Sequence, residues 1–348
     1  MTAPDPTPPS SIDKPRVIWV DYAKGLSILL VVLYHVLNGL AKRRADVPVP
    51  AAWDELINPM LEMVRMPLFF FVSGLFVARS AQKDARTYIT DKLGAITWPY
   101  LIWSIIQAVL LIVLAKVSRG KPDVTLAELP YALAFAPVFQ FWFLYVLFMA
   151  LMLYFALVKL RFRPWMILTV AVGLLLIKLN VDLRPLGFET DRYRIGLAYW
   201  GPLLQLFNFF IYMALGSVLG GFLLKRTDRL PIGLLAGVAV VGTALVVWAV
   251  AGLNLRRDST ADLGLLVPLG LFFALASVAA GLAVATLLSR SGVTGFVRTA
   301  GQFSLYIFVL HVIFAAGVRT VLLKAGVKDL TIHIVAGTIA GVLLPILV

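Results

Sequence analysis

The chain has 348 residues, 61% of them hydrophobic and 14% charged, and a mean hydropathy of +0.92. Its apolar residues come in blocks of about twenty, which excludes a soluble globular domain and predicts an all-α polytopic membrane protein of about ten transmembrane helices. The net charge of +13 lies in short clusters between apolar blocks, arguing against nucleic acid as a partner; the absence of cysteine excludes a disulfide frame and a thiolate nucleophile, and three scattered histidines argue against a metal site.

Residues 1–15, MTAPDPTPPSSIDKP, are rich in Pro, Ser and Thr and lack a basic leader pattern, so they are expected to form a disordered tail. The run 16–40 that follows is long and apolar enough to span a bilayer, yet it carries Asp21, Lys24 and His35. An Asp or Lys at the centre of a membrane helix costs roughly 2.5–3.5 kcal/mol on insertion scales, so such groups call for a reason. Asp21 and Lys24 are three positions apart and Lys24 and His35 eleven. At about 100° per residue, eleven steps close three turns with about 20° left over. All three therefore share one face, with Lys24 and His35 separated by roughly 16 Å along the axis.

A polar loop, 41–58, containing Lys42, Arg43, Arg44 and Trp53, leads to a second span at 59–78, PMLEMVRMPLFFFVSGLFVA. Glu62 and Arg65 stand at i, i+3 and are expected to pair. Pro67 should kink the helix and free backbone groups for a polar ligand, and Ser73 with Gly74 should allow another helix to approach closely. The stretch 79–92 reads as a basic loop with Arg79, Lys83, Arg86 and Lys92. Later spans are expected at 98–116, 137–158, 164–178, 200–224, 231–253, 264–288, 302–323 and 330–348, the fifth span being short; Pro99, Pro137, Pro164, Pro202 and Pro231 stand near span starts, where a missing N–H costs little. Lys and Arg divide almost evenly between the two sets of loops, so charge alone does not orient the chain. No internal repeat supports an inverted-repeat transporter.

These motifs resemble the acyltransferase-3 family of integral membrane acyltransferases over most of the chain. The densest matches are D-x-x-K-G at Asp21, Lys24 and Gly25, Lys-x10-His at Lys24 and His35, and MPLFFFVSG from Met66 to Gly74. Weaker ones are Pro99-Tyr100, the run from Phe141 to Leu144, and the run from Gly301 through Ser304 and Tyr306 to His311. Lys92 and Ala95 stand where the family often has Arg-x-x-Arg, with Arg86 or Arg79 as substitutes, and Arg65 stands where many members have His. The resemblance implies a single transmembrane acyltransferase domain over 16–348 in a bacterial inner (plasma) membrane, with a cytoplasmic N-terminus. It implies transfer of an acyl group, most simply acetyl, from cytoplasmic acyl-CoA (acetyl-CoA as donor, no metal) to a hydroxyl at the external face.

Acyl transfer to an alcohol needs a base for the hydroxyl proton and donors for the developing oxyanion. His35 suits the base, and Asp21 is grouped with it as catalytic. Lys24, Glu62, Arg65, Ser73, Trp142 and Tyr306 are substrate-binding candidates, and Arg79, Arg86 and Lys92 are candidates for the coenzyme's phosphates. Plainer readings stand beside these: a structural Asp21–Lys24 pair, ordinary flank charge, and Trp142 as packing. His311 either touches the site or packs between helices, and His333 reads as interfacial. Expected partners are the bilayer, a glycan or lipid-linked sugar acceptor and, as one arrangement, a second copy in a homodimer. A secondary transporter with an intramembrane Asp/Lys/Glu/His pathway is the alternative from another class.

Overall fold

The computed structural model describes residues 17–43, 46–117, 125–180, 201–253, 263–292 and 294–348; the expected tail, 1–15, lies outside them. The described residues are all-α, without a strand. The helices in chain order are α1 (Ile18–Ala41), α2 (Asn58–Ser80), α3 (Ala85–Lys92), α4 (Trp98–Val117), α5 (Leu129–Ala134), α6 (Trp142–Lys159), α7 (Pro164–Asn180), α8 (Gly201–Arg226), α9 (Ile232–Val247), α10 (Leu263–Ser291), α11 (Gly295–Gln302), α12 (Ser304–Lys324) and α13 (Leu330–Leu347).

Among the described residues, nine helical stretches are long and apolar enough to cross a membrane, and α7, of 17 residues, is shorter. The direction of the neighbouring helices suits α7 as a further crossing. Phe71 meets Gly216 and Leu75 meets Gly220, so α2 and α8 run in the same direction. Among the described residues, the apolar helices between them are α4, α6 and α7, an odd number, as that shared direction needs. The same parity returns the short α11 to the Asp21 end of α1, where Gly301 lies on the Asp21 carbonyl. At 1.5 Å per residue α7 is roughly 25 Å long, which a small local thinning of the bilayer accommodates.

Three boundaries differ from the sequence expectation. The loop expected at 41–58 is shorter, because a π-helical turn, Trp53–Ile57, runs directly into α2 and buries Trp53 6.0 Å from the Tyr34 ring. The basic stretch 79–92 is mostly helical. Asp84 caps α3 by accepting the Thr87 amide at 2.9 Å. Tyr88 is buried beneath α3, stacked on Phe155 at 4.3 Å, with its hydroxyl donating to the Leu151 carbonyl at 3.1 Å. Pro99 is the second residue of α4, and a second π-helical turn, Leu93–Thr97, joins α3 directly to that helix. Finally, Pro67 sits inside α2, and the carbonyl left without its helical N–H, that of Met63, accepts the Ser277 hydroxyl of α10 at 2.5 Å. The group expected to serve a ligand is used to dock a neighbouring helix.

Helix α1 is the hub, packed against α2, α10, α11, α12 and α13. Two backbone-to-backbone contacts set its surroundings. Gly25 lies on the Val297 carbonyl and Gly301 on the Asp21 carbonyl, so a side chain at either would force α11 away from α1. The MPLFFFVSG stretch of α2 meets α8 in the same manner, Gly74 on the Met213 carbonyl and Gly216 on the Phe71 carbonyl. Lipid tails are as apolar as the side chains, so helices in a bilayer gain little by hiding leucines; close contact between small residues supplies the association instead. Above this seam Phe70 stacks on Phe209 at 5.0 Å and meets Phe143 edge-on at 5.4 Å.

Gly74→Ala is expected to destabilise the protein by about 1–3 kcal/mol through overpacking against α8, seen as a lower melting temperature in detergent. Gly237→Ala on α9, where nothing lies within 4 Å of the new Cβ, should leave it unchanged. Equal melting temperatures for the two variants would contradict the packing described.

Candidate active site

The polar face of α1 is divided between two ends. At the first, Asp21 is 3% exposed. Its Oδ2 accepts the Gln302 side-chain amide at 3.4 Å and lies 3.9 Å from Arg298 Nε, both on α11. Asp21 thus helps to fasten α11 against α1, next to the Gly25 and Gly301 contacts. Lys24, one turn on, is half-buried. Since α2 runs antiparallel to α1, its C-terminal end lies on this side as well, and it brings Arg79 with α3, which carries Arg86 and Lys92. Arg79 and Arg86 are exposed, and the half-buried Lys92 ammonium lies 5.4 Å from the Tyr88 ring.

The Asp84 carboxyl, at the N-terminus of α3, is held below the usual carboxylate range by the Thr87 hydroxyl and amide. A depressed folded pKa means that the cap is complete above the ordinary carboxylate value. It is lost as pH falls through the lowered one.

The second end surrounds His35. Its ring is half-buried. The Tyr34 ring meets it edge-on at 4.9 Å, and the ring of His311, from α12, lies 5.0 Å away with the planes at 58°. Arg65 of α2 is buried with its guanidinium carbon 3.4 Å from the centre of the Tyr34 ring and a nitrogen 3.7 Å from Glu62. The expected i, i+3 pair is present, and stacking carries the arginine into the α1 site. Asp21 lies fourteen positions before His35, roughly 21 Å along the axis. The two residues grouped as catalytic are therefore at opposite ends, and Asp21 does not reach the imidazole.

His311 is fully buried. Its Nδ1 lies 2.9 Å from the Ile307 carbonyl and 2.8 Å from that of Phe308. Carbonyl oxygens only accept, so Nδ1 carries the proton and Nε2 presents its lone pair. His333, in the first turn of α13, is buried within the protein. It is 2% exposed, and Nε2 donates to the Val327 carbonyl at 2.9 Å, closing the turn before α13.

Three remaining candidates have the following surroundings. The Ser73 hydroxyl donates to the Phe69 carbonyl of its own helix at 2.9 Å. Trp142 lies in the aromatic layer, 5.7 Å from Phe209 and 6.4 Å from Phe143. Tyr306 is 58% exposed and lies about 140° around α12 from His311. Sequence reasoning did not find Tyr34, Arg298 or Gln302. Their only sequence signal is neighbourhood: Tyr34 precedes His35, and Arg298 and Gln302 flank Gly301 one helix before His311.

Comparison with known proteins adds the following. The family described as "Acyltransferase domain" (Acyl_transf_3) matches residues 17–348. Nodulation protein NolL of Mesorhizobium japonicum is 24% identical over 196 residues, covering 54% of this chain and 49% of the relative, so the match spans about half the length of that protein. No solved structure matches.

Arg65→Lys keeps the charge but loses the planar stack on Tyr34. It is expected to cost about 0.5–2 kcal/mol, measurable as a lower melting temperature, whereas Arg79→Lys on the exposed end of α2 should leave stability unchanged.

Proposed function

From the premise that the chain belongs to the acyltransferase-3 family and is a multi-pass membrane acyltransferase, we propose that it is an acyl-CoA-dependent O-acyltransferase of the bacterial inner membrane. It moves an acyl group, most simply acetyl, from cytoplasmic acyl-CoA to a hydroxyl of a glycan or lipid-linked sugar at the external face. The N-terminus is cytoplasmic in this reading, so the end with Lys24, Arg79, Arg86 and Lys92 receives the coenzyme and the His35 end meets the acceptor.

The observation that carries the proposal is the placement of a half-buried imidazole on the same face of the same helix as Lys24, roughly 16 Å further along. A pantetheine arm running between α1 and its neighbours would span that distance, with its phosphates left among the cations. At the far end His35 accepts the proton of the acceptor hydroxyl while the oxygen attacks the thioester carbonyl. Arg65, beside Tyr34, supplies positive charge to the developing oxyanion, and Glu62 faces the acceptor. Collapse of the tetrahedral intermediate breaks the carbon–sulfur bond, and the departing thiolate takes from His35 the proton that the hydroxyl gave up. The hydroxyl becomes an ester, and the coenzyme leaves as a free thiol. Asp21 acts at a distance, keeping α11 in place at the coenzyme end.

Purified protein in nanodiscs, given acetyl-CoA and alkali-deacetylated glycan from the expressing cell, should release coenzyme thiol and return O-acetyl groups to the glycan. His35→Ala should lower the rate by about 10²–10⁴-fold, the usual contribution of a general base, with an unchanged melting temperature. Full activity in that variant would sink the proposed chemistry, and solute uptake without thioester consumption would favour a transporter.

A further inference from the structure

His311 is the buried titratable group that the mechanism above leaves unused. Its proton is committed, because Nδ1 donates to the Ile307 and Phe308 carbonyls. Its other nitrogen, Nε2, is wholly buried and has no hydrogen-bond partner. A buried acceptor left unmatched is disfavoured, and evolution has apolar rings of the same size at its disposal. The ring cannot turn to relieve the mismatch without breaking the Nδ1 bonds. It is also wedged in place: a Cβ added at Gly341 of α13 would come within 2.9 Å of Val32 of α1 and 3.7 Å of the His311 Cβ, so α12 and α13 close against α1 at this level. The neighbour across the gap is His35, with ring centres 5.0 Å apart and planes inclined at 58°, so the rings are not stacked face to face and a turn of the half-buried imidazole can bring an N–H to the lone pair.

We propose that His311 is the positioning residue for His35, accepting a hydrogen bond from the catalytic imidazole when it becomes imidazolium. This rests on His35 being the general base. His35 takes the hydroxyl proton on one ring nitrogen, and its other N–H donates to His311 Nε2. No proton passes to His311, and the proton on His35 goes to the leaving thiolate as before. The fixed tautomer of His311 thereby selects the rotamer of His35 and stabilises its charge, the role that an orienting partner plays beside a base in nucleophilic and acyl-transfer sites generally. Among the described residues, other ionisable groups near this level are Tyr34 on α1, the Arg65–Glu62 pair on α2 and Arg319 on α12, which lies against Gly39 one turn beyond His35; His333 on α13 is turned to the Val327 carbonyl.

The test compares His311→Phe, which keeps a ring but no acceptor, with His311→Gln, which restores an acceptor near Nε2. Assays use acetyl-CoA and the deacetylated glycan in nanodiscs. His311→Phe should lower kcat by about 10–100-fold, as loss of an orienting partner commonly does, with KM for acetyl-CoA little changed. His311→Gln should recover most of that loss, and His35→Ala/His311→Phe should be no slower than His35→Ala alone, since the two act as a unit. Wild-type kcat in His311→Phe, equal losses in the two variants, or additive losses in the double variant would overturn the proposal. An active His35→Ala would instead overturn the general-base reading, a result visible in that variant alone.

If His311→Phe fails to fold, nitrogen-15 NMR of the unaltered protein decides. With only three histidines in the chain, acidification until His35 is doubly protonated should produce a scalar coupling across an N–H···N bond to His311 Nε2. Absence of that coupling overturns the proposal.

Discussion

A helix that carries an aspartate, a lysine and a histidine along one face cannot turn that face to lipid, and this constraint organises the molecule. Hydrocarbon offers such groups neither solvation nor partners, so α1 sits at the centre with five helices around it. The glycine contacts follow from the same requirement. Gly25 and Gly301 let α11 reach close enough for Gln302 and Arg298 to meet Asp21, and Gly341 lets α13 close over His311. The polar stripe determines who must pack on α1; the small residues determine how near they come.

The two ends of the stripe differ in character. At the Asp21 end charges are plentiful and partly exposed, and Asp21 itself is met by Gln302 and Arg298. At the His35 end exposure falls, and aromatic rings replace mobile charges: Tyr34 carries the Arg65 guanidinium on its face and meets the His35 ring on its edge. Such stacking holds a cation in a low-dielectric setting without a long flexible tether, which suits a place where charge develops during a reaction. A cluster of cations at one end of α1 and a half-buried imidazole at the other are what the proposed function asks of an enzyme whose two substrates approach from opposite sides of a membrane.

Much of this was legible from residue order. The number of crossings, the shared face of Asp21, Lys24 and His35, the Glu62–Arg65 pair and the close approach at Gly74 all follow from helical periodicity and from where small residues fall. What escaped the sequence depends on tertiary partners. The basic stretch 79–92 has loop-like composition, and its helix is secured by Asp84 at the cap and by Tyr88, whose burial against Phe155 is set by α6. The carbonyl released by Pro67 could be foreseen, but not that Ser277, more than two hundred residues later, would take it. Asp21 and His35 looked like members of one constellation because they share a face; the rise along the helix places them roughly 21 Å apart. His311 could have packed anywhere along α12, and only the α1–α12 contact brings its ring to His35.

The central claim is that one continuous path along α1 joins a coenzyme site to a catalytic imidazole. A cryo-EM structure of the protein with a non-hydrolysable ketone analogue of acetyl-CoA tests it most directly. The account predicts phosphate density among Arg79, Arg86 and Lys92, a pantetheine arm passing Lys24, and the acyl carbon beside His35. An acyl group resting at the Asp21 end, with no density between α1 and its neighbours as far as His35, would contradict it.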